Sequence, residues 1–395
     1  MSIFGTRSRQ LRNLPALAVL GWLLCTAQAL AQAPSTPGNS PRLYVLEPGV
    51  NQVQVVQTGR SGIPSAVTAT IPVGDIAVQA KASPDQRSVW VTNGGDGTIT
   101  IIRTADNSTS LISTAAPGEV ACVPNGFPTP CTIPGSFVFN PSGTRVFLAD
   151  LGDNTVKVIS TGSGQVLKSI PAGAFPAGIA ITPDGGKLYV PNLIDNTVSV
   201  ISTSSQTVLT TISMPGSTFH GSAPAGCALS DPSPTAVAIT PDGEFALVAN
   251  AYDDQLVPAC QPFQPSTVSA IRTADNTVVN ARNPIPTGGF VATAINVLAG
   301  DRSVAFVGNT GTDNFPGKRV GVIDTTLLRL ISVTTEPPPI IGPSEIDPQT
   351  FLTYVPNTGN GQGESIVTLD NTFFRIANIF GLPSGSFPSS IAVVH

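Results

Sequence analysis

Residues 176–216 read PAGIAITPDGGKLYVPNLIDNTVSVISTSSQTVLTTISMPG and contain four short segments in which apolar and polar residues alternate. Apolar residues at every second position, such as Ile179 and Ile181, indicate β-strands, because successive side chains of a strand lie on opposite faces. The first two segments are separated by Thr-Pro-Asp-Gly-Gly at 182–186. Its Pro fixes φ, its Asp bonds nearby backbone and its Gly accepts positive φ, so this segment predicts a tight turn. The whole stretch therefore predicts four antiparallel strands.

The same unit recurs along the chain, with variations, about every 40 to 60 residues, a spacing typical of propeller blades. A single four-stranded sheet cannot bury its faces alone, so the units are expected to stack around an axis. The first unit lacks its first strand, and residues 388–395 resemble a first strand with nothing after it. Pairing the two would close the ring. The sequence thus predicts an all-β, seven-bladed β-propeller of four-stranded antiparallel blades, closed by the C-terminal strand. An irregular sixth repeat leaves six or eight blades open.

The repeat also carries a family pattern. It reads Ile-Ala-x-x-Pro-Asp-Gly at 179–185, Leu-Tyr-Val-x-Asn at 188–192 and Thr-Val-Ser-Val-Ile at 197–201. This pattern resembles the YVTN-type β-propeller repeat, and the resemblance extends over most of the mature chain. It implies an exported seven-bladed propeller, with relatives that include surface-layer proteins and periplasmic binding modules.

The N-terminal residues have the features of a secretory signal peptide. Arg7, Arg9 and Arg12 form a basic segment, residues 14–25 are mostly apolar, and Ala-Leu-Ala at 29–31 suits signal peptidase. We therefore expect a signal peptide at 1–31, a Pro- and Ser-rich leader at 32–41 and a single propeller domain at 42–395. The protein is expected in the periplasm or secreted.

Composition narrows the range of partners. The chain has 19 basic and 24 acidic residues, and loss of the three signal-peptide Arg changes the formal charge from −5 to −8. An acidic protein is a poor match for nucleic acid. No later stretch approaches the roughly 18 apolar residues that a membrane helix needs. We expect a monomer with neither a nucleic-acid partner nor a membrane span.

The cysteines predict disulfides. Four remain after removal of the signal peptide, namely Cys122, Cys131, Cys227 and Cys260. An even number in an exported chain favours disulfide pairing. Three pairings are possible, and proximity in the sequence favours Cys122 with Cys131 and Cys227 with Cys260.

Four insertions lengthen the minimal repeat, at residues 115–134, 213–234, 251–266 and 309–318. In the usual propeller plan, loops between blades and loops between second and third strands lie on one rim. Long loops on a rigid scaffold are frequent binding sites. This loop-rich face is the predicted binding surface, although the insertions are equally consistent with tolerated elaboration.

Polar residues recur directly after the second strand of several repeats, and with one loop histidine they form the candidate ligand-binding set: Asn93, Asp96, Asp150, Asp153, Asn192, Asp195, His220, Asn250 and Asp253. Oxygens of this kind around a channel could hold Ca²⁺ or a polar ligand. The stronger explanation is that they stabilise hairpin turns. No catalytic residue, metal site or resident cofactor is predicted. Ca²⁺ is the one ion considered as a possible ligand of this set.

Histidine content limits the enzymatic alternatives. The chain has two His, so a Ser-His-acid site would have to use His220, and a multi-His haem or metal centre cannot be assembled. The favoured function is a non-enzymatic binding or scaffold protein, engaging a protein or glycan partner, or a small ligand at the channel mouth. The alternatives are a lactonase-like hydrolase that uses channel acids and a divalent metal, or a periplasmic redox-partner propeller.

Overall fold

The computed structural model describes fifteen segments of the chain, and every structural statement below refers to them: residues 40–59, 61–122, 131–214, 232–252, 266–280, 284–289, 292–298, 304–309, 319–333, 345–347, 349–350, 352–357, 364–370, 375–382 and 388–395. The predicted signal peptide lies outside these segments. No helix in the described part of the chain is long and apolar enough to cross a membrane.

The described residues form 31 strands. The first blades contain β1 (Arg42–Glu47), β2 (Gln52–Thr58) and β3 (Pro64–Pro72), then β4 (Ala77–Ala82), β5 (Ser88–Asn93), β6 (Thr98–Arg103) and β7 (Thr109–Ser113). The insertion that follows contains β8 (Val120–Ala121) and β9 (Cys131–Thr132). The third and fourth blades contain β10 (Pro134–Phe139), β11 (Arg145–Asp150), β12 (Thr155–Ser160) and β13 (Val166–Pro171), then β14 (Ala180–Ile181), β15 (Lys187–Asn192), β16 (Thr197–Ser202) and β17 (Thr207–Ser213).

The fifth blade contains β18 (Pro232–Ile239), β19 (Phe245–Tyr252), β20 (Thr267–Arg272), β21 (Thr277–Val278) and β22 (Ile285–Pro286). The sixth contains β23 (Ala292–Leu298), β24 (Val304–Asn309), β25 (Arg319–Asp324) and β26 (Arg329–Val333). The seventh contains β27 (Glu345–Asp347), β28 (Leu352–Asn357), β29 (Ser365–Asp370) and β30 (Arg375–Gly381), and β31 (Ser390–Val394) ends the chain.

Seven antiparallel sheets make up the ring, so the predicted seven-bladed propeller is confirmed. A typical blade has the order β4-β5-β6-β7 from the axis outwards. The first blade has the order β31-β1-β2-β3. Here β31 pairs with β1, and the register runs from the Leu46–Ser390 pair to the Arg42–Val394 pair. The predicted closure of the ring by the C-terminal strand is therefore also confirmed.

Two details differ from the repeat pattern. The outer edge of the fifth blade is divided between β21 and β22, which both pair with β20. The insertion between the second and third blades contains a two-stranded parallel sheet of β8 and β9. Neither was predicted, because two-residue strands leave no alternation in the sequence.

The strand register defines two faces of the propeller. In the second blade, Ala77 begins the inner strand opposite Asn93, and Thr98 pairs with both Asn93 and Ser113. The loops between blades and the turns between second and third strands therefore lie at one edge, called here the loop face. The opposite edge, with the Pro-Asp-Gly turns, is called the turn face. The strand ends that bracket all four insertions lie on the loop face.

The predicted Asp turn lies on the turn face. The carboxylate of Asp184 accepts hydrogen bonds from the hydroxyl of Thr182 at 2.5 Å and from the backbone N–H of Gly186 at 2.9 Å. These bonds hold the pKa of Asp184 below its usual value. The same bonding recurs around Asp85 and Asp242.

Apolar side chains fill the spaces between neighbouring blades. Between the third and fourth blades, Phe147 and Val158 pack with Ile179 and Leu188. Buried tyrosines add polar links to the next blade. The hydroxyl of Tyr189 donates to Asn276 at 2.7 Å, and equivalent bonds join Tyr44 to Asn107 and Tyr354 to Gly62. Burial raises the pKa of Tyr189 to about 12, so the hydroxyl keeps its proton at neutral pH.

Candidate functional site

One polar residue lies within two residues of the loop-face end of the second strand in every blade, and each is 2% exposed or less: Glu47, Asn93, Asp150, Asn192, Asn250, Asn309 and Asn357. In three blades the Asn amide donates to two hydroxyls of the adjacent third strand. Asn192 Nδ2, for example, lies 2.9 Å from Thr197 Oγ1 and 2.9 Å from Ser199 Oγ. Asn93 and Asn250 make the corresponding bonds. These contacts join the second strand to the third.

In the second, fourth and sixth blades, a glycine of the entering loop passes close to the strand-end residue. The backbone N–H of Gly173 donates to Asn192 Oδ1 at 3.1 Å. A Cβ atom at Gly173 would lie 2.5 Å from Asn192 Cγ, so a side chain there would collide with the amide. The Pro-x-Gly sequence that precedes the inner strand is therefore explained by this close approach.

The predicted aspartates that follow the strand-end residues lie on the loop face and bind loop backbone. Asp96 Oδ2 accepts from the backbone N–H of Asp75 at 2.7 Å, and Asp195 Oδ2 accepts from that of Ala174 at 2.6 Å. Both side chains are exposed. The structure thus places the described members of the predicted set around one edge of the ring, with the strand-end residues buried, Asp96 and Asp195 exposed and Asp153 partly buried.

Four residues of the predicted set lie outside the described residues, namely His220, Asp253, Cys227 and Cys260. Ligand binding by the strand-end residues stays a prediction. In the described blades their polar atoms bond mainly within the protein. Among the described residues, no group of three or more His, Cys, Asp and Glu is placed to hold a metal ion.

In the third blade, charged side chains take the place of the neutral hydrogen bond between the strand-end Asn and a third-strand hydroxyl. Asp150 stands where five other blades have Asn, and Lys157 occupies the position of Thr100 and Ser199. Lys157 Nζ lies 3.0 Å from Asp150 Oδ2 and donates to the carbonyl oxygen of Thr114 at 3.1 Å. The Lys157 side chain is fully buried.

Two further carboxylates complete this arrangement, called here the Lys157 cluster: Lys157, Asp150, Asp153 and Glu119. Glu119, in the insertion, contacts Lys157 Nζ directly, and Asp153 Oδ2 lies 3.7 Å from it. Asp150 also accepts from Thr132 and, at 2.9 Å, from the backbone N–H of Ile133. Two segments of the insertion therefore converge on the third blade.

Burial and the mutual contacts of the Lys157 cluster shift the pKa values of Lys157, Asp153 and Glu119. Burial lowers the pKa of Lys157, but Asp150 and Glu119 outweigh that effect, so the pKa is raised and the side chain stays charged. Burial raises the pKa of Asp153 to about 6, and the charge of Asp150 adds to this increase. Burial also favours the neutral form of Glu119, but its bond with Lys157 holds the pKa below its usual value.

A disulfide lies beside the Lys157 cluster. Cys122 and Cys131 are bonded, with 5.0 Å between their Cα atoms, as predicted from their proximity in the sequence. A Cβ atom at Gly152 would lie 2.5 Å from the Cys131 carbonyl oxygen and 2.9 Å from Cys122 Sγ. The disulfide therefore packs against the turn between β11 and β12, and both ends of 123–130 are fixed to the third blade.

Sequence reasoning missed Lys157 and Glu119. The signal was present, because Lys157 and Asp150 depart together from the Asn and Ser/Thr that the second, fourth and fifth blades have at these positions. Glu119 has no such signal, since it lies 38 residues away in an insertion with no counterpart in the repeat.

A cavity of about 120 Å³ lies between inner strands of six blades. Among the described residues that line it, Lys81 is the one charged side chain, and the others are small, apolar or hydroxyl- and amide-bearing. Several polar groups of this wall bond to neighbouring blades. Gln79 Oε1 accepts from the Phe137 backbone N–H at 2.8 Å, and Thr235 Oγ1 donates to the Ala292 carbonyl at 2.7 Å.

Taken together, the ring of seven four-stranded blades, the closing C-terminal strand and the central cavity define a seven-bladed β-propeller. The chain belongs to the lactonase family of seven-bladed β-propellers, whose description, "Lactonase, 7-bladed beta-propeller", matches residues 42–260. No curated protein matches the chain.

Solved structures with the same fold include hydrazine synthase from Kuenenia stuttgartiensis. It is 17% identical with a TM-score of 0.58, and the alignment covers 80% of this chain and 89% of that one. Another is the dihydro-heme d1 dehydrogenase NirN in complex with DHE, 15% identical with a TM-score of 0.55, covering 92% of this chain and 78% of that one. At these identities the similarity concerns the fold alone.

Proposed function

We propose that this protein is an exported propeller of the YVTN-repeat type that binds a protein partner through its loop face and catalyses no reaction. Its role is that of a binding or scaffold protein outside the cytoplasm. One observation carries the proposal: the insertion between the second and third blades is fixed at its base by the disulfide, by β8 and β9 and by the Lys157 cluster. Fixing the residues at the base of an insertion lowers the entropic cost of presenting it to a partner.

The polar groups of the cavity support a binding role over a hydrolytic one. Several of them bond between blades, and the described wall carries an ammonium group where the metal-assisted alternative calls for carboxylates. A lactonase-like hydrolase is the second candidate, because the family match points to it. A redox-partner role is a third, since one similar structure is a haem-related dehydrogenase.

Replacing residues 123–130 by an eight-residue Gly-Ser segment, with Cys122 and Cys131 retained, tests the binding role. Affinity capture from the envelope of the exporting cell should enrich a protein partner with the natural chain and lose it with the replacement. Leu327→Ser, on the turn face, is the matched control and should retain the partner.

Turnover measurements separate the alternatives. The purified protein, supplied with Ca²⁺, Mg²⁺ or Zn²⁺, should not hydrolyse a panel of lactones above the rate in buffer. Hydrolysis that a chelator abolishes would replace the proposal with the lactonase-like function. A visible absorbance band that copurifies with the protein would favour the redox role.

A further inference from the structure

The loop face exposes large apolar side chains at equivalent positions. Ile76 and Phe175 each lie two residues after the glycine that approaches a strand-end Asn, and they are 61% and 37% exposed. Ile194, in the neighbouring turn of the fourth blade, is 64% exposed. Val50 and Val120 are further exposed apolar residues on this face.

The backbone at Ile76 and Phe175 is held in an unfavourable conformation. Their φ angles are +49° and +56°, in the left-handed region that favours glycine. For residues other than glycine this conformation is strained, and a β-branched residue such as Ile is a marked outlier. The turn between second and third strands fixes both residues, because Gly94 N–H donates to the Ile76 carbonyl and Leu193 N–H to the Phe175 carbonyl.

The charges on the same face have one sign. Asp75, Asp96 and Asp195 are exposed. On the loops and turns of this face, every exposed charged side chain that the structure describes is a carboxylate, and Lys157 is buried. The turn face differs, because it exposes Arg87, Arg103 and Arg272 among its acids. Among the described residues, the loop face therefore offers carboxylates without exposed cations beside them, whereas the turn face mixes both signs of charge.

We propose that the loop face binds a basic polypeptide segment in which Lys or Arg side chains alternate with apolar ones. This inference rests on the proposed function and names the chemistry of its partner. Apolar side chains of the segment would cover Ile76, Phe175 and Ile194, and its cations would meet the carboxylates around them. Apolar contacts supply most of the affinity in such an interface, and complementary charge supplies specificity and the rate of association. An anionic lipid surface has the wrong charge for this face.

The test uses two fluorescent 15-residue peptides, one with alternating Arg and Leu and one with Glu in place of Arg. Fluorescence anisotropy should show the Arg peptide binding the natural protein at least tenfold more tightly, with weaker binding in 300 mM than in 50 mM NaCl, because salt screens exposed charges. Ile76→Ser with Phe175→Ser should weaken binding at least tenfold. Leu327→Ser with Glu244→Gln, on the turn face, should change it less than twofold.

Three results would overturn this inference. They are equal affinity for the two peptides, cosedimentation of the natural protein with phosphatidylglycerol vesicles, and self-association in sedimentation velocity that the Ile76 and Phe175 changes abolish. A Tm of the double variant at or above that of the natural protein confirms that it folds. The Arg peptide could bind no more tightly than the Glu peptide while the 123–130 replacement still loses an envelope partner. In that case the inferred chemistry of the partner is wrong and the proposed function stands.

Discussion

Lys157 is expected to be essential for the stability of the third blade while the carboxylates that it contacts are charged. At 3.0 Å the pair interacts by about 5 kcal/mol at an effective dielectric constant of about 20. Desolvation offsets part of this energy, and breaking such a buried pair by removing one partner costs about 3–5 kcal/mol. Lys157→Ser should therefore destabilise the protein by that amount at pH 7, since Asp150 would remain buried without its cation.

Asp150→Asn added to Lys157→Ser should restore part of the loss. The double variant recreates the neutral pair of Asn192 and Ser199 in the fourth blade. Its Asn oxygen can still accept from the backbone of Ile133, and its amide can donate to the new Ser. We expect the double variant to be more stable than Lys157→Ser alone, so the two changes are non-additive, and the remaining loss reflects Glu119, which still lacks the cation that it contacts.

Urea unfolding followed by circular dichroism measures this cycle. Ser199→Ala is the matched control, and it should cost about 1 kcal/mol because it removes one neutral hydrogen bond. Additive losses, with the double variant less stable than Lys157→Ser alone, would refute the view that Asp150 and Lys157 together replace the neutral pair of the repeat.

Three further outcomes are expected. Relative to the natural protein, Asp153→Asn should be increasingly stabilising as pH rises from 4 to about 6. A carboxyl with a raised pKa stabilises the fold while it is protonated and loses that contribution as it ionises. Urea midpoints of both proteins across this range measure the effect, and a stability difference that stays constant with pH would contradict it. Tyr189→Phe should cost about 1 kcal/mol in the same assay, since the bond to Asn276 is lost; no change would show that water replaces it. Cys122→Ser with Cys131→Ser should cost at most about 2.5 kcal/mol by the loop-entropy estimate, and a larger loss would mean that the disulfide also supports the Lys157 cluster.

Much of the fold could be predicted because the blade is built from local signals. Alternation of apolar residues identifies the strands, and the turn at Asp184 follows from residues that bond within a few positions. Ring closure could be predicted as well, since the first unit lacks the one strand that residues 388–395 supply. Short-range chemistry was sufficient for each of these features.

The candidate site depends on longer-range contacts. The strand-end residues, such as Asn192, were recognised as a recurring polar set, but their bonds to hydroxyls of the third strand require the register of the sheet. The Lys157 cluster joins an insertion to a blade, and no repeat pattern relates Glu119 to Lys157. The exposure of Ile76 and Phe175 was also missed, because apolar residues next to an inner strand suggest core in a sequence.

Site-specific photocrosslinking in the exporting cell tests the central claim most directly. A photoreactive benzoylphenylalanine placed at Phe175, on the loop face, should form a covalent adduct with a separate polypeptide, and the same group at Leu327, on the turn face, should not. Adducts at both positions, or none at Phe175, would contradict a protein partner bound through the loop face.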